Sequence, residues 1–465
     1  MIAHLLLALT AAAPCIRLTR AATQVQGDVR VCPGRYRVAD PTERGVLIAA
    51  SSGTRIDLTG VILESGDSLP DRFVGIGVAS KGVDGVTVVG GTVRGYRFGV
   101  RIEGGRNHRL SGIDVSNSRR QILRSTPDRA DSTDRLDVTR LEAADQYGAG
   151  LMLRNTTGAT VTGIVSHGAQ NGISLVDASM SYVADNDLAD NSGWAIQLYR
   201  SSHNSILRND ASRTRRCPAA GSDCASAAIL LREASDSNTL VENDLTASTI
   251  GVLVTGQPPV SRPSVGNLVY RNDASLATVV AFAARMTWNV SFIENRADSA
   301  AAGFELMRLT GGLLRGNTVI GARRGGILAT RGDDTGLEAN VLLGGPVGIQ
   351  VTTGDGAGRN GRGYRIDDNM LNGVDQGVVL RGVTDSRVRG NVFDGVGTGL
   401  VVDGTGHGTE VSGNVFLRAS SWFIDAPDLM AGGNYWATAD AAAAAARVRG
   451  RISVLPWKPA SAAGY

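Results

Sequence analysis

Three short runs in the first half of the chain combine side chains suited to protons, carboxylates and sugar rings: Asp145 with Tyr147, His167 with Gln170, and Asp190 with Trp194. They lie about one sequence repeat apart, so a stacked fold would bring them within roughly 5 Å of one another along the stack. Alternating strand positions beside them add Gln197 in one outward column, and Arg124, Arg154, Tyr199 and Arg232 in another. Drawing off the proton beside a sugar carboxylate requires a cation to neutralise that carboxylate and a base within hydrogen-bond reach. Arg154 fits the first role, and His167 or Tyr147 the proton carrier. Arg124, Asp145, Gln170, Asp190, Trp194, Gln197, Tyr199 and Arg232 would then hold the polymer, the aromatic rings by stacking and the guanidinium groups by paired bonds to carboxylates. The expected chemistry is elimination or epimerisation on an acidic polysaccharide. The competing expectations are a stacked-coil protein that binds glycans or assists a periplasmic or cell-surface assembly without catalysis, and a plain structural solenoid.

The elements that must position these residues are announced by repetition. Phrases such as Gly172-Ile-Ser-Leu175, Ala195-Ile-Gln-Leu198, Gly251-Val-Leu-Val254, Gly303-Phe-Glu-Leu306 and Gly399-Leu-Val-Val402 alternate with period two, as strands do. An asparagine follows each turn: Asn186, Asn209, Asn243, Asn272, Asn295, Asn317, Asn340, Asn369, Asn391, Asn414 and Asn434. Their spacing runs from 20 to 34 residues and is mostly 22 or 23. A repeat this short cannot bury its own apolar face and must stack on its neighbours. No Leu-x-x-Leu-x-Leu phrase is present, which excludes a leucine-rich solenoid. Stacked coils place equivalent residues about 4.8 Å apart, so the asparagines are expected to form an amide ladder, with a second one through Asn204, Asn238 and Asn267.

Composition agrees. Sixty Gly with only 5% aromatic residues describe many short strands joined by tight turns. The formal charge of +3 and the absence of any basic run argue against a nucleic-acid partner. The apolar run Leu5 to Ala13 is too short to span a bilayer. It is read as a secretory signal over 1–13, although no Lys or Arg precedes it. Cys15 with Cys32, and Cys217 with Cys224, are expected to form two disulfides, which fits a secreted or periplasmic location. The expected organisation is an N-terminal cap over 14–66, a parallel β-helix over 67–430 and a C-terminal cap over 431–465, with the alanine run Ala441 to Ala446 as a short helix. The stretch between Asn209 and Ala228, carrying Arg213, Arg215 and Arg216, is either a wall of the groove or an inert loop. A monomer is expected.

The repeats, the opening Val31-Cys-Pro-Gly-Arg-Tyr36 with Ile56-Asp-Leu-Thr-Gly60, and the closing Asn434-Tyr-Trp436 resemble the pectin-lyase-like right-handed parallel β-helix superfamily. The phrasing is most similar to the secreted repeat proteins that include the copper-associated maturation factor of nitrous-oxide reductase and the mannuronan C5-epimerases. The resemblance covers nearly the whole chain and implies an all-β solenoid fold; it says little of function, because the repeat encodes stacking. Gly406-His-Gly408 and Asp333-Asp334 look like parts of a polygalacturonase site, but they fall about three coils apart, near 14 Å. The Asp-Pro-His-acid phrase of the epimerases is absent. His108, His167, His203 and His407 are dispersed, so no metal or other cofactor is called for. Calcium at the acidic turns Asp333-Asp334 or Asp355 is allowed but not indicated.

Overall fold

The computed structural model describes residues 14–136, 143–216, 226–256, 262–353, 361–404, 407–438 and 440–456. Coil after coil contributes one short strand to a 16-stranded parallel sheet. Thr160–Thr162, Tyr182–Ala184, Ser205–Leu207, Thr239–Val241 and Leu268–Tyr270 pair residue for residue along it. The middle residue of each strand points inward, so Val161, Val183, Ile206, Leu240 and Val269 form one buried file. A broader parallel sheet carries longer strands, among them Phe98–Glu103, Ala149–Arg154, Asn171–Val176, Trp194–Tyr199, Ala227–Arg232 and Ile250–Thr255. A third line of parallel bridges runs through Asp114, Val165, Asp187, Asp210, Asp244 and Asp273. The molecule is a right-handed parallel β-helix, as the repeat requires.

The asparagine ladder is complete. The Asn186 amide donates to Asn209 Oδ1 at 2.8 Å, and the same bond recurs at every step to Asn434. Asn295 shows the pattern in full. Its amide nitrogen donates to Asn317 Oδ1 (3.1 Å) and to the Val269 carbonyl (2.9 Å), while its Oδ1 accepts the Asn272 amide (3.1 Å) and backbone N–H (2.9 Å). Each buried amide is thereby satisfied without water. Asn204, Asn238 and Asn267 form the shorter second ladder.

The two ends of the stack are finished differently. Cys15–Ile16 pairs with Asp28–Val31, which pairs with Arg55–Asp57, and the Cys15–Cys32 disulfide staples the first turn. The stretch expected as a cap over 14–66 is therefore built from the first coils of the same sheets. At the far end Phe393, Phe416 and Trp436 stack with ring centres 4.7 and 5.0 Å apart. The helix Ala441–Ala445 follows, its first turn capped by Asp440, whose carboxylate accepts the Ala442 N–H at 2.9 Å. Val448–Ser453 then pairs with Ala419–Met430. The expected signal segment, the Cys217–Cys224 pair and Asp355 lie outside the described residues. Among the described residues no helix is long and apolar enough to cross a membrane.

Candidate functional site

The long-strand sheet presents its outer columns in the register the alternation demands. Arg101, Met152, Ser174, Gln197, Leu230, Leu253 and Ala283 are successive partners in one file. Two residues further along each strand, Arg154, Val176, Tyr199, Arg232, Thr255 and Arg285 form the next. The residue below Arg154 in that file is Glu103, not Arg124. Counting two places on from Arg101 reaches Glu103, whereas Arg124 belongs to the long excursion between the strands Arg109–Ser111 and Ala149–Arg154. The expected arginine stripe therefore begins with a carboxylate.

The middle of this face is closed to solvent, contrary to the expected open groove. Trp194, Gln170 and Gln197 are fully buried, and Arg232, Tyr199 and Tyr147 are nearly so. Leu136 and Tyr147, from the excursion, pack in one apolar cluster with Trp194, Leu230, Leu253 and Ala283. Arg216 pins that excursion down. It is buried beneath it, donating to the Asp134 carbonyl, to the Ser192 carbonyl at 3.3 Å and to the Gln121 side chain. Desolvation lowers its pKa to about 10, so it stays charged at neutral pH. Gln170 accepts the Gln121 N–H at 3.0 Å, and the Asp134 carboxylate accepts the Arg124 and Ser125 N–H groups at 3.0 and 2.6 Å. Gln170 thus holds the cover in place, and Arg124 sits on it with its side chain exposed.

The three residues expected to carry catalysis are not brought together by any hydrogen bond. His167 Nε2 lies 2.6 Å from Asp187 Oδ1, on the third line of bridges. Tyr147 is packed against the covered face. Arg154 donates to Asp145 at 2.7 Å. Tyr199 donates to Glu233 at 2.9 Å under the Arg232 guanidinium, which stacks 4.4 Å from its ring centre. Burial and the Glu233 carboxylate push its phenol pKa up. Asp190 is bound through both oxygens by Arg213, at 2.9 Å each, and this guanidinium holds its carboxyl below the usual carboxylate range.

What stays open lies toward the N-terminal end of the same face. There Arg101 reaches Glu103 (3.3 Å) and Asp145 (3.8 Å), Arg154 holds Asp145, and Lys81 stands 3.7 Å from Glu103. This lattice borders a cleft of about 440 Å³, which Gln24, Arg44 and Ser80 also line. Its volume falls within the range of small-ligand sites, about 300–1,000 Å³. Lys81, Arg44 and Glu103 were not singled out in the sequence. Glu103 had a signal, since it ends the same alternating phrase that holds Arg101.

The family described as periplasmic copper-binding protein (NosD) matches residues 82–292 and again 281–441, and the chain belongs to that family. No curated protein sequence matches the chain. Among solved structures, the A-module of the mannuronan C-5 epimerase AlgE6 from Azotobacter vinelandii aligns with a TM-score of 0.50 at 14% identity, covering 79% of this chain and 90% of that one. The Dettilon tailspike protein aligns at 0.44 and 14% identity, over 84% and 61%. The periplasmic alginate epimerase AlgG aligns at 0.40 and 14% identity, over 86% and 76%. The first of these likenesses shows a shared fold.

Among the described residues the donor set does not fit the copper of the family description. Among the described residues no three His, Cys, Asp or Glu side chains gather as a metal site would need. Buried His108 has both ring nitrogens engaged, one facing the Val86 N–H at 3.3 Å and the other the Gly104 carbonyl at 3.0 Å. Cys15 and Cys32 are oxidised to a disulfide.

Proposed function

We propose that the chain is an exported, periplasmic carbohydrate-binding β-helix that engages acidic polysaccharide as a monomer, along the open end of its long-strand face. One observation carries the reading: Lys81, Arg101, Glu103, Asp145 and Arg154 form a continuous ionic lattice over three coils, at the mouth of a cleft. Arg101 and Arg154 are held in place by carboxylates that a sugar carboxylate can exchange with, and exposed Gln24 offers partners to hydroxyl groups. The family description and the Cys15–Cys32 disulfide support the location.

Binding is placed ahead of elimination or epimerisation because the carboxylates beside the cations, Glu103 and Asp145, are tied up in ion pairs with them, and the expected proton carriers are engaged elsewhere. His167 is committed to Asp187, and Tyr147 is buried under the cover. The test is calorimetric titration with oligomannuronate and oligogalacturonate against neutral oligosaccharides of equal length. Acidic chains are expected to bind, and Arg101→Gln or Arg154→Gln to weaken binding roughly tenfold, a change of about 1.4 kcal/mol. Equal affinity for neutral chains would overturn the reading. A rise in conjugated-uronate absorbance during the titration would restore the lyase.

A further inference from the structure

Beyond the covered face, the excursion and the coil turn beneath it enclose a second cleft, of about 370 Å³. Arg120, Ile122 and Leu123 form one wall, and Asp190, Arg213 and Arg215 the other. The charges do not cancel. Asp190 is the only carboxylate in the lining, and both its oxygens are already taken by Arg213. Arg213 spends its remaining terminal nitrogen on Ser212 Oγ at 2.9 Å. Arg215 bonds the Ala247 carbonyl through Nε and meets no carboxylate among the described residues. The Arg120 guanidinium has neither a hydrogen bond nor an ion pair among the described residues, and its backbone is fixed to the Pro70 carbonyl at 3.1 Å.

Both walls are rigidly mounted. Gln121, next to Arg120, is locked between Gln170 and the buried Arg216, and the Arg215 N–H donates to the Asn191 carbonyl at 3.1 Å. Two guanidinium groups without a carboxylate partner among the described residues thus project from fixed backbone into one cleft, where an anion entering between them would compensate both. Ile122, 59% exposed on the rim, gives the apolar face of a sugar ring a surface to rest on.

We infer that this cleft is a carboxylate subsite for an acidic sugar residue, with Arg120 and Arg215 as its clamp. The inference rests on the acidic-glycan reading above and extends it to a second contact point on the far side of the excursion.

The experiment uses the full chain and a homogeneous hexagalacturonate, with inorganic sulfate as a second probe. In the Arg120→Gln/Arg215→Gln double variant, hexagalacturonate affinity is expected to fall roughly tenfold or more, while the exposed-arginine control Arg109→Gln binds as the parent does. An independent readout needs no variant: hexagalacturonate should slow modification of Arg120 and Arg215 by phenylglyoxal, read by peptide mass spectrometry. Unchanged affinity of the double variant together with unprotected arginines overturns the subsite, and the glycan reading survives if Arg101→Gln still weakens binding. If the parent protein binds sulfate through these arginines but no uronate oligomer, the uronate assignment fails along with the glycan reading.

Discussion

At the scale of single residues, two buried side chains carry sharp consequences. Asn295 takes part in five hydrogen bonds of the ladder's interior, so Asn295→Ala leaves the buried Asn272 N–H without a partner and takes one donor each from the Val269 carbonyl and Asn317 Oδ1. The orphaned group costs about 1–3 kcal/mol and each further lost bond about 1 kcal/mol, which makes a loss of about 3 kcal/mol in urea unfolding the expected outcome. Alanine in place of exposed Arg109, in a strand of the short-strand sheet, should cost about 0.5 kcal/mol or less. His108 is the second. Its Nδ1 accepts the Val86 N–H, so a proton there would face another donor, and burial lowers its pKa below the ordinary 6.5. The unfolded chain therefore takes up a proton that the folded one refuses, and stability falls as pH drops below about 6.5. His108→Asn should flatten the melting temperature between pH 7.5 and pH 5; a slope unchanged by the substitution would refute this account.

At the scale of elements, the ends decide how the stack survives. Trp436 lies over Phe416 with its ring almost parallel, and no further coil of the ladder follows Asn434. Trp436→Ala removes that lid and should cost about 3–5 kcal/mol, with amide exchange rising first in the strands from Val392 to Phe416 and not in those around Val161. Uniform acceleration along the chain would show the loss to be global. The strands, both ladders and the short helix after Asp440 were legible in the sequence, because alternation, turn asparagines and an alanine run act within a few residues of themselves. The covered face was not legible. Parity places Gln197 and Tyr199 on the outer side of their strand but says nothing of what lies over them. That depends on Leu136 and Tyr147 folding back from a long excursion, and on Arg216, which reads as an exposed loop arginine until its carbonyl partners are seen. Gln170, Trp194, Gln197, Tyr199 and Arg232 lie under cover for this one reason, and Arg124 stands off the stripe because of a miscounted register.

At the scale of the whole molecule, the β-helix is a one-dimensional stack in which, outside the reach of the long excursion, each coil touches only its neighbours, so stability there is close to a sum over coils and their interfaces. Removing one complete coil should then be tolerated, provided register is kept. Asn295 and Asn317 occupy the same turn 22 residues apart, and deleting residues 296–317 lets Asn295 take over the bond from Asn317 to Asn340. Val280–Trp288 would then meet Ile327–Thr330 in place of Phe304–Thr310, apolar against apolar. Phe304 is lost from the cluster it forms with Phe282 and Phe292, which makes the shortened protein less stable but still folded. It should keep the parent's oligomeric state and an unchanged β-type circular dichroism spectrum, shorter by about 4.8 Å along its axis in small-angle scattering. Deleting only 296–306 removes half a coil, turns every following strand onto the wrong face and leaves the ladder broken, so that variant should fail to fold. If both deletions behave alike, stability is not distributed coil by coil, and the stacking that places Arg101 beside Arg154 would have to be held by something other than the repeat.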